Sequence, residues 1–344
     1  MLTTQKLRAP PPELIGVIVY WQQVRSSAGN REYKNGLTRV LYIAGWGRSG
    51  STILDNVLGQ VEGFFSTGEL RSIWDRGLIE NWLCSCGAAF RDCEVWKSVF
   101  TEAFGGFGGI DVRRMLAIRD RYDRPWNTFF PRRLRSSELA EYRAALTRLY
   151  AAIAAVSGAK VIVDSSKTPA YCRILQDCAD IEVDVVHLLR DSRAVAFSWQ
   201  RKRLWGNNEG GYMSRFVPAV SSLIWDGRQV ASEALGRGAP GRYLRLRYED
   251  FVAAPQDALT RILALTGGGS ALPAFCGDRK VALRPVHGIS GNPSRFARGA
   301  VELRPDEEWR SAMKWTDRLI VTAMTAPLLM RYRYPLTTRT SAAG

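Results

Sequence analysis

The stretch Gly45-Trp46-Gly47-Arg48-Ser49-Gly50-Ser51-Thr52 follows the apolar run Val40-Leu41-Tyr42-Ile43-Ala44 and has the residue types of a phosphate-binding loop. In a nucleotide triphosphatase such a loop reads G-x-x-x-x-G-K-[ST], and its lysine reaches the β- and γ-phosphates. Gly45 and Gly50 keep that spacing, but Ser51 stands in the lysine position and Arg48 supplies the charge. A strand, a Gly/Ser turn and a helix opening at Ser51-Thr52 still aim backbone N–H groups and a helix dipole at an anion. The loop therefore predicts a phosphate other than the γ-phosphate of ATP.

Two further positions carry charge where a ligand is expected. Arg190 ends the apolar run Val183–Leu189, and ligands of open α/β sheets bind at the carboxyl ends of strands. Ser198 follows two helical turns later, so the pair marks a second anion site, or else Arg190 only satisfies the end of a sheet. Lys167, in Val163-Asp164-Ser165-Ser166-Lys167-Thr168-Pro169, follows another apolar strand and falls beside the loop, as a catalytic cation or as a surface lysine. It is one of only eight lysines among 48 basic residues.

The elements that must position these residues alternate between strand and helix. Strands are predicted at 40–44, 64–66, 160–164, 183–189 and 242–247. Helices are predicted at 51–60, 138–156, 170–179, 193–203, from about 256, and from 306 to 329. Leu139, Tyr142, Leu146, Leu149 and Ile153 give the 138–156 helix its 3.6-residue period. The alternation implies an α/β, P-loop-like three-layer fold with a central parallel sheet flanked by helices. Residues 1–37 read as an extension, 38–335 as the domain and 336–344 as a tail. Residues 81–136 read as an irregular acceptor-side insertion or lid.

The net charge of +15 is arginine-dominated and is either a compositional habit or a field that draws in anionic ligands. No basic run interleaved with aromatics forms a nucleic-acid module, and no apolar run of 18 residues spans a bilayer. A soluble, cytoplasmic protein is expected. Cys84, Cys86 and Cys93 cluster, and Cys172, Cys178 and Cys276 are isolated and read as core residues. Three thiols make a poor zinc site without a fourth ligand, and neither histidine is near them in sequence. A disulfide, a local metal knuckle and simple buried thiols all stay open. His187, inside a largely apolar strand, reads as a satisfied core residue, and His287 either touches a bound ligand or has no part in the site.

In combination these segments resemble the sulfotransferases that use 3′-phosphoadenosine 5′-phosphosulfate (PAPS), over about residues 38–335. The likeness is greatest to bacterial members of the branch that includes the tyrosylprotein sulfotransferases. The loop Gly45–Thr52 is similar to the family's 5′-phosphosulfate loop, with Arg48 where many members carry lysine. The segment Arg190–Ser198 resembles the 3′-phosphate motif, Tyr248-Glu249-Asp250 the Tyr-Glu-Asp element, and Gly291-Asn292-Pro293-Ser294-Arg295-Phe296 the late basic loop. Each motif alone is weak, whereas four in the family's order are specific.

The resemblance implies that Gly47, Arg48, Ser49, Gly50, Ser51, Thr52, Arg190, Ser198, Tyr248, Asn292 and Arg295 hold the donor, with no metal required. Lys167 and Arg48 would stabilise the departing 5′-phosphate of 3′-phosphoadenosine 5′-phosphate (PAP). Cytosolic-type members place a histidine base two residues after the lysine, where this chain has Pro169. The tyrosylprotein-like branch carries a glutamate in a Gly-Glu context, which Gly68-Glu69 fits, so Glu69 is the expected base and Asp164 the runner-up. Pairing of Glu69 with Arg71 or Arg48 would instead depress its pKa and weaken it.

The acceptor is expected to be a small molecule, carbohydrate or lipid bearing a hydroxyl. Residues 119–126 with Trp199, Trp205 and Tyr212 either line its pocket or belong to the core. The rival readings are a P-loop kinase and a PAP-binding protein without activity.

Overall fold

The structure, a computed structural model, describes residues 36–129, 136–204, 211–237, 239–267 and 271–337. Most of the expected 1–37 extension, part of the 336–344 tail and Trp205 lie outside the described residues.

Five strands form one sheet: β1 (Thr38–Gly45), β2 (Phe64–Ser66), β3 (Val161–Lys167), β4 (Ile181–Leu189) and β5 (Tyr243–Arg247). Their spatial order is β2-β3-β1-β4-β5, and every pairing is parallel. The expected α/β architecture with a central parallel sheet is therefore present. β1 lies in the middle, and its apolar sequence follows from burial on both faces. Alternate side chains serve opposite layers: Val40, Tyr42 and Ala44 join one core, Leu41 and Ile43 the other.

Helix α1 (Ser51–Leu58) leaves β1 through the glycine loop and buries Leu54, Val57 and Leu58 in the second core. Two helices, α2 (Glu94–Phe104) and α3 (Val112–Tyr122), then precede α4 (Ser137–Ser157). Ser136 caps α4 by accepting from the Leu139 amide at 3.1 Å. Trp96, Val99, Phe100, Met115 and Ile118 of α2 and α3 are buried in the first core with the α4 face. The irregular insertion expected at 81–136 is corrected to two ordered helices built into the core. Their signal is masked in the sequence by Gly105-Gly106 and Gly108-Gly109 between them and by four arginines within α3.

Helix α5 (Pro169–Gln176) follows β3, and α6 (Ser192–Gln200) follows β4. Helix α7 (Pro218–Gly236) is absent from the sequence expectation. It buries small and polar residues, Ser221, Ser222, Gln229 and Ser232, beside Trp225, while Leu223 is 68% exposed. Such an inverted face gives no amphipathic pattern to detect.

Helices α8 (Tyr248–Ala253) and α9 (Pro255–Leu265) follow β5, and an antiparallel pair, β6 (Lys280–Leu283) and β7 (Gly299–Glu302), brackets the late loop. The single helix expected over 306–329 is two, α10 (Trp309–Ala312) and α11 (Trp315–Arg331). Met313 and Lys314 between them adopt extended backbone, and Met313 is buried. Among the described residues no helix is long and apolar enough to cross a membrane.

Candidate active site

The glycine loop is the wall between two cavities at the carboxyl end of the sheet. Gly45 has φ +138, and a Cβ there would lie 2.5 Å from the Leu188 carbonyl oxygen on β4. Gly50 has φ +85, and a Cβ there would meet the Tyr248 ring at 2.3 Å. Both close approaches demand glycine. Gly50 is the N-cap of α1 and offers no side-chain bond to its first amides, which leaves those donors to an anion.

The inner cavity, about 320 Å³, is lined by the loop, Glu69, Arg76, Lys167, Trp199 and Asn292 among others. Lys167 is aimed into it by the sheet. Tyr42 is opposite Asp164, but Ala44 is opposite Lys167, so β3 carries one extra residue just before the lysine. Asp164 fixes this turn: it accepts from the Ser166 amide at 2.8 Å and from the Tyr150 hydroxyl. Asp164 is fully buried, with a carboxyl pushed up to about 6 by desolvation, and it lines neither cavity. It orients the Lys167 turn and does not face an acceptor.

Lys167 donates to Glu69 Oε1 at 2.6 Å and to its own turn, the Ser165 carbonyl, at 2.9 Å. The other carboxylate oxygen of Glu69 accepts from Ser290 at 3.2 Å and faces Arg76 at 3.8 Å. Burial works to raise the Glu69 carboxyl, but Lys167, Arg76 and these hydrogen bonds outweigh it and hold it below its usual value. The pairing with Arg71 or Arg48 anticipated from the sequence is not formed. Arg71 is bound to Asp123, and Arg48 donates to Met213 Sδ at 3.0 Å and lies over the Trp199 ring at 4.8 Å.

Arg48, Lys167 and Ser290 have φ of 70, 68 and 60, a region that non-glycine residues seldom occupy. Their concentration around one carboxylate is the pattern of backbone strain held at a working site. Polar atoms are also left over. Among the described residues Arg48 Nε and Nη1, Ser49 Oγ and Trp199 Nε1 are buried without a hydrogen-bond partner. Burial lowers the Arg48 guanidinium to about 10, with Arg203 adding to the effect and Glu69 opposing it.

The outer cavity, about 310 Å³, shares Arg48, Ser51, Thr52 and Asn292 with the inner one and adds Gly50, Arg190, Ser198, Arg203, Tyr248 and Arg304. Arg190 donates to the Arg48 carbonyl at 2.9 Å, pairs with Asp306 at 3.1 Å and lies over the Tyr248 ring at 4.9 Å. Glu249 accepts from the Asp191 amide at 3.1 Å, so the acidic residue of the Tyr-Glu-Asp element braces the Arg190 turn while the tyrosine faces the cavity.

The fold thus brings together Glu69, Lys167, Arg48, the loop, Arg190, Ser198, Tyr248 and Asn292. Arg295 is not among them: it is buried, donates to the Leu83 carbonyl at 3.1 Å and lines neither cavity. Of the aromatic set, Trp199 lines the inner cavity and stacks on Trp46 at 5.2 Å, whereas Trp126 and Tyr212 are exposed. Arg119 is buried against Asp75 and the Arg71 carbonyl, away from the cavity.

His187 is a satisfied core residue, 2.6 Å from both the Tyr243 hydroxyl and Gln229 Oε1. His287 lies against Cys84 and Cys93 instead of a nucleotide site. Cys276 is exposed, contrary to the expectation of a core residue. Sequence reasoning missed Arg76, Arg203, Ser290 and Arg304. Arg76 sits on a π-helical turn, Ile73–Ile79, a feature frequent at functional sites but without a residue signature.

An open parallel sheet with two cavities meeting at one glycine loop defines an α/β protein of P-loop-like build. Residues 119–268, a little under half of the chain, match the model of the Sulfotransferase family. That segment carries Lys167, Arg190, Ser198 and Tyr248; the glycine loop and Glu69 precede it. The tyrosylprotein-like branch is not distinguished by the match.

Two solved structures are similar in outline. The sulfotransferase domain from the curacin biosynthetic pathway is 15% identical with a TM-score of 0.48, covering 88% of this chain and 99% of that one. Sulfotransferase STF9 from Mycobacterium avium is 10% identical with a TM-score of 0.42, covering 94% and 83%. No curated protein matches the sequence.

Proposed function

We propose that this protein transfers a sulfuryl group from PAPS to a hydroxyl of a small-molecule, carbohydrate or lipid acceptor. The observation that carries this reading is the pair of cavities sharing the glycine loop, one holding Arg190 and Ser198, the other Glu69 and Lys167. A donor with phosphate at both ends of its ribose suits that division. The 3′-phosphate goes to Arg190 and Ser198, and the 5′-phosphosulfate goes to the loop amides and Arg48. Nothing in such a donor calls for the triphosphatase lysine that Ser51 replaces.

In the transfer, the acceptor oxygen attacks sulfur and the bond from sulfur to the bridging oxygen breaks. Its electron pair departs with the 5′-phosphate. Charge accumulates on that oxygen, where Lys167 and Arg48 supply fixed positive charge. Glu69 takes the acceptor proton. The ion pair of Glu69 with Lys167 gives the two roles an order: an arriving phosphosulfate competes for the ammonium and leaves the carboxylate more basic. Trp46, Trp199 and Phe216 supply an apolar wall of the inner cavity for the acceptor.

Calorimetric titration with PAP, and separately with ATP and Mg²⁺, tests the donor class. PAP binding in roughly the micromolar range without metal, with ATP much weaker, is expected. Preference for ATP with Mg²⁺ would return the loop to kinase chemistry. Transfer from radiolabelled PAPS separates an enzyme from a PAP-binding protein without activity.

A further inference from the structure

Three thiols from one short hairpin meet an imidazole from a distant part of the chain. Cys84, Cys86, Cys93 and His287 place one donor atom each within 4.8 Å of one another. Cys93 Sγ lies 3.3 Å and Cys84 Sγ 3.8 Å from His287 Nδ1, and Cys86 Sγ lies 3.8 Å from Cys93 Sγ. Zinc bonds of about 2.3 Å to sulfur and about 2.0–2.1 Å to nitrogen set tetrahedral ligand atoms roughly 3.8 Å apart for S···S and roughly 3.5 Å for S···N. These separations match the edges of that tetrahedron. The histidine supplies the fourth ligand that the sequence lacked.

The surroundings form a built frame. Leu83 bridges Ala89 in antiparallel fashion, the Cys84 amide donates to the Ala88 carbonyl at 2.8 Å, and Gly87 closes the turn at φ +102. Cys93 directly precedes α2, whose Trp96 indole donates to the His287 carbonyl at 3.0 Å. The His287 ring is parallel to Phe65, 6.2 Å between centroids. Both the amide and the hydroxyl of Ser85 donate to the Gly288 carbonyl.

We propose that Cys84, Cys86, Cys93 and His287 bind Zn²⁺ in a closed structural site. Three thiolates and one imidazole in a tetrahedral set suit that ion and leave no coordination position for a substrate. The site clamps the hairpin and α2 to the segment that continues through Ile289 to Ser290. Ile289 donates to the Thr67 carbonyl and accepts from the Glu69 amide, both at 2.8 Å. The ion therefore positions the backbone that holds Ser290 against Glu69, and the proposal stands whether or not the donor is PAPS.

The test uses the full chain, expressed with zinc and purified with a mild thiol reductant. Plasma mass spectrometry is expected to find one zinc per chain. Exchange with Co²⁺ should give the visible bands of a tetrahedral ion and near-ultraviolet thiolate-to-cobalt bands. Cys86→Ser, at the half-buried thiol, should lose its zinc to EDTA under conditions where the parent keeps it. Cys276→Ser, outside the cluster, should keep it. The metal content and cobalt spectrum of the unmutated chain decide the matter even if Cys86→Ser fails to fold. A folded chain that holds no metal and takes up neither Zn²⁺ nor Co²⁺ overturns the proposal, as does a Cys86–Cys93 disulfide in the mass of the chain isolated without reductant.

Discussion

Glu69 answers to two cations at once, and that makes its role measurable. Its carboxyl is held below the usual range by Lys167 and Arg76 against the effect of burial. A base of lowered pKa stays ionised well into acid, so the acid limb of kcat/KM should fall below the ordinary glutamate range. Arg76→Met removes one of the groups that lower it, and the limb should then move to higher pH. An unmoved limb would dissociate the limb from Glu69. Glu69→Ala should abolish turnover while PAP affinity, read by calorimetry, stays nearly unchanged. Undiminished turnover would sink the base assignment. Lys167→Ala should lower kcat by about 10²–10³-fold, the usual effect of losing one preorganised donor. Arg190→Ala should act on binding instead, weakening PAP by roughly 1.5–3 kcal/mol as expected for a charged contact.

At the scale of the element, α1 holds a buried acid behind the glycine loop. Desolvation pushes the Asp55 carboxyl up to about 7, against the hydrogen bond that Ser66 donates at 2.5 Å. The folded chain therefore keeps a proton that the unfolded chain releases, between an unfolded value of about 3.9 and a folded value of about 7. Stability from this group is full below that window and is lost as pH rises through it. His187, lowered by burial to about 4, works in the opposite direction, because its folded form refuses a proton that the unfolded chain accepts. Asp55→Asn removes only the first contribution. Its melting temperature relative to the parent should rise between about pH 4 and about pH 7, and a constant difference would contradict the buried proton.

Elements were legible where one residue period matched one buried face. β1, β2, β4 and α4 show their apolar runs or their 3.6-residue stripe, and the structure keeps them within a few residues. α7 was not legible because its buried face is serine and glutamine. The cysteine cluster was half legible: the thiols stand within ten positions of one another, but the imidazole that completes them is set by the pairing of Gly68 with Ile289, which no local pattern encodes. The glycine loop between β1 and α1 was legible from its spacing and residue types. The partner of Glu69 was not, because the extra residue that aims Lys167 is a property of sheet register.

The whole molecule carries a net charge of +15, and its two cavities expose Arg48, Arg76, Lys167, Arg190, Arg203 and Arg304. A positive field of this kind speeds the arrival of an anionic donor and is screened by salt. The association rate of PAP should fall as ionic strength rises, with a much smaller change in the dissociation rate, a split that stopped-flow measurement resolves. Equal sensitivity of both rates would confine the charge effect to local contacts.

The strand order has a further consequence for the chain as it is made. β1 lies at the centre of the sheet, yet both of its neighbours, β3 and β4, come far later in sequence. The glycine loop and the strand before it leave the ribosome ahead of both partners, with one edge unpaired until Lys167 and the other until Leu189 has been synthesised. An apolar strand left open for so long is a hazard of aggregation. Slowing translation before β3 should therefore lower the soluble yield more than the same delay placed after β4.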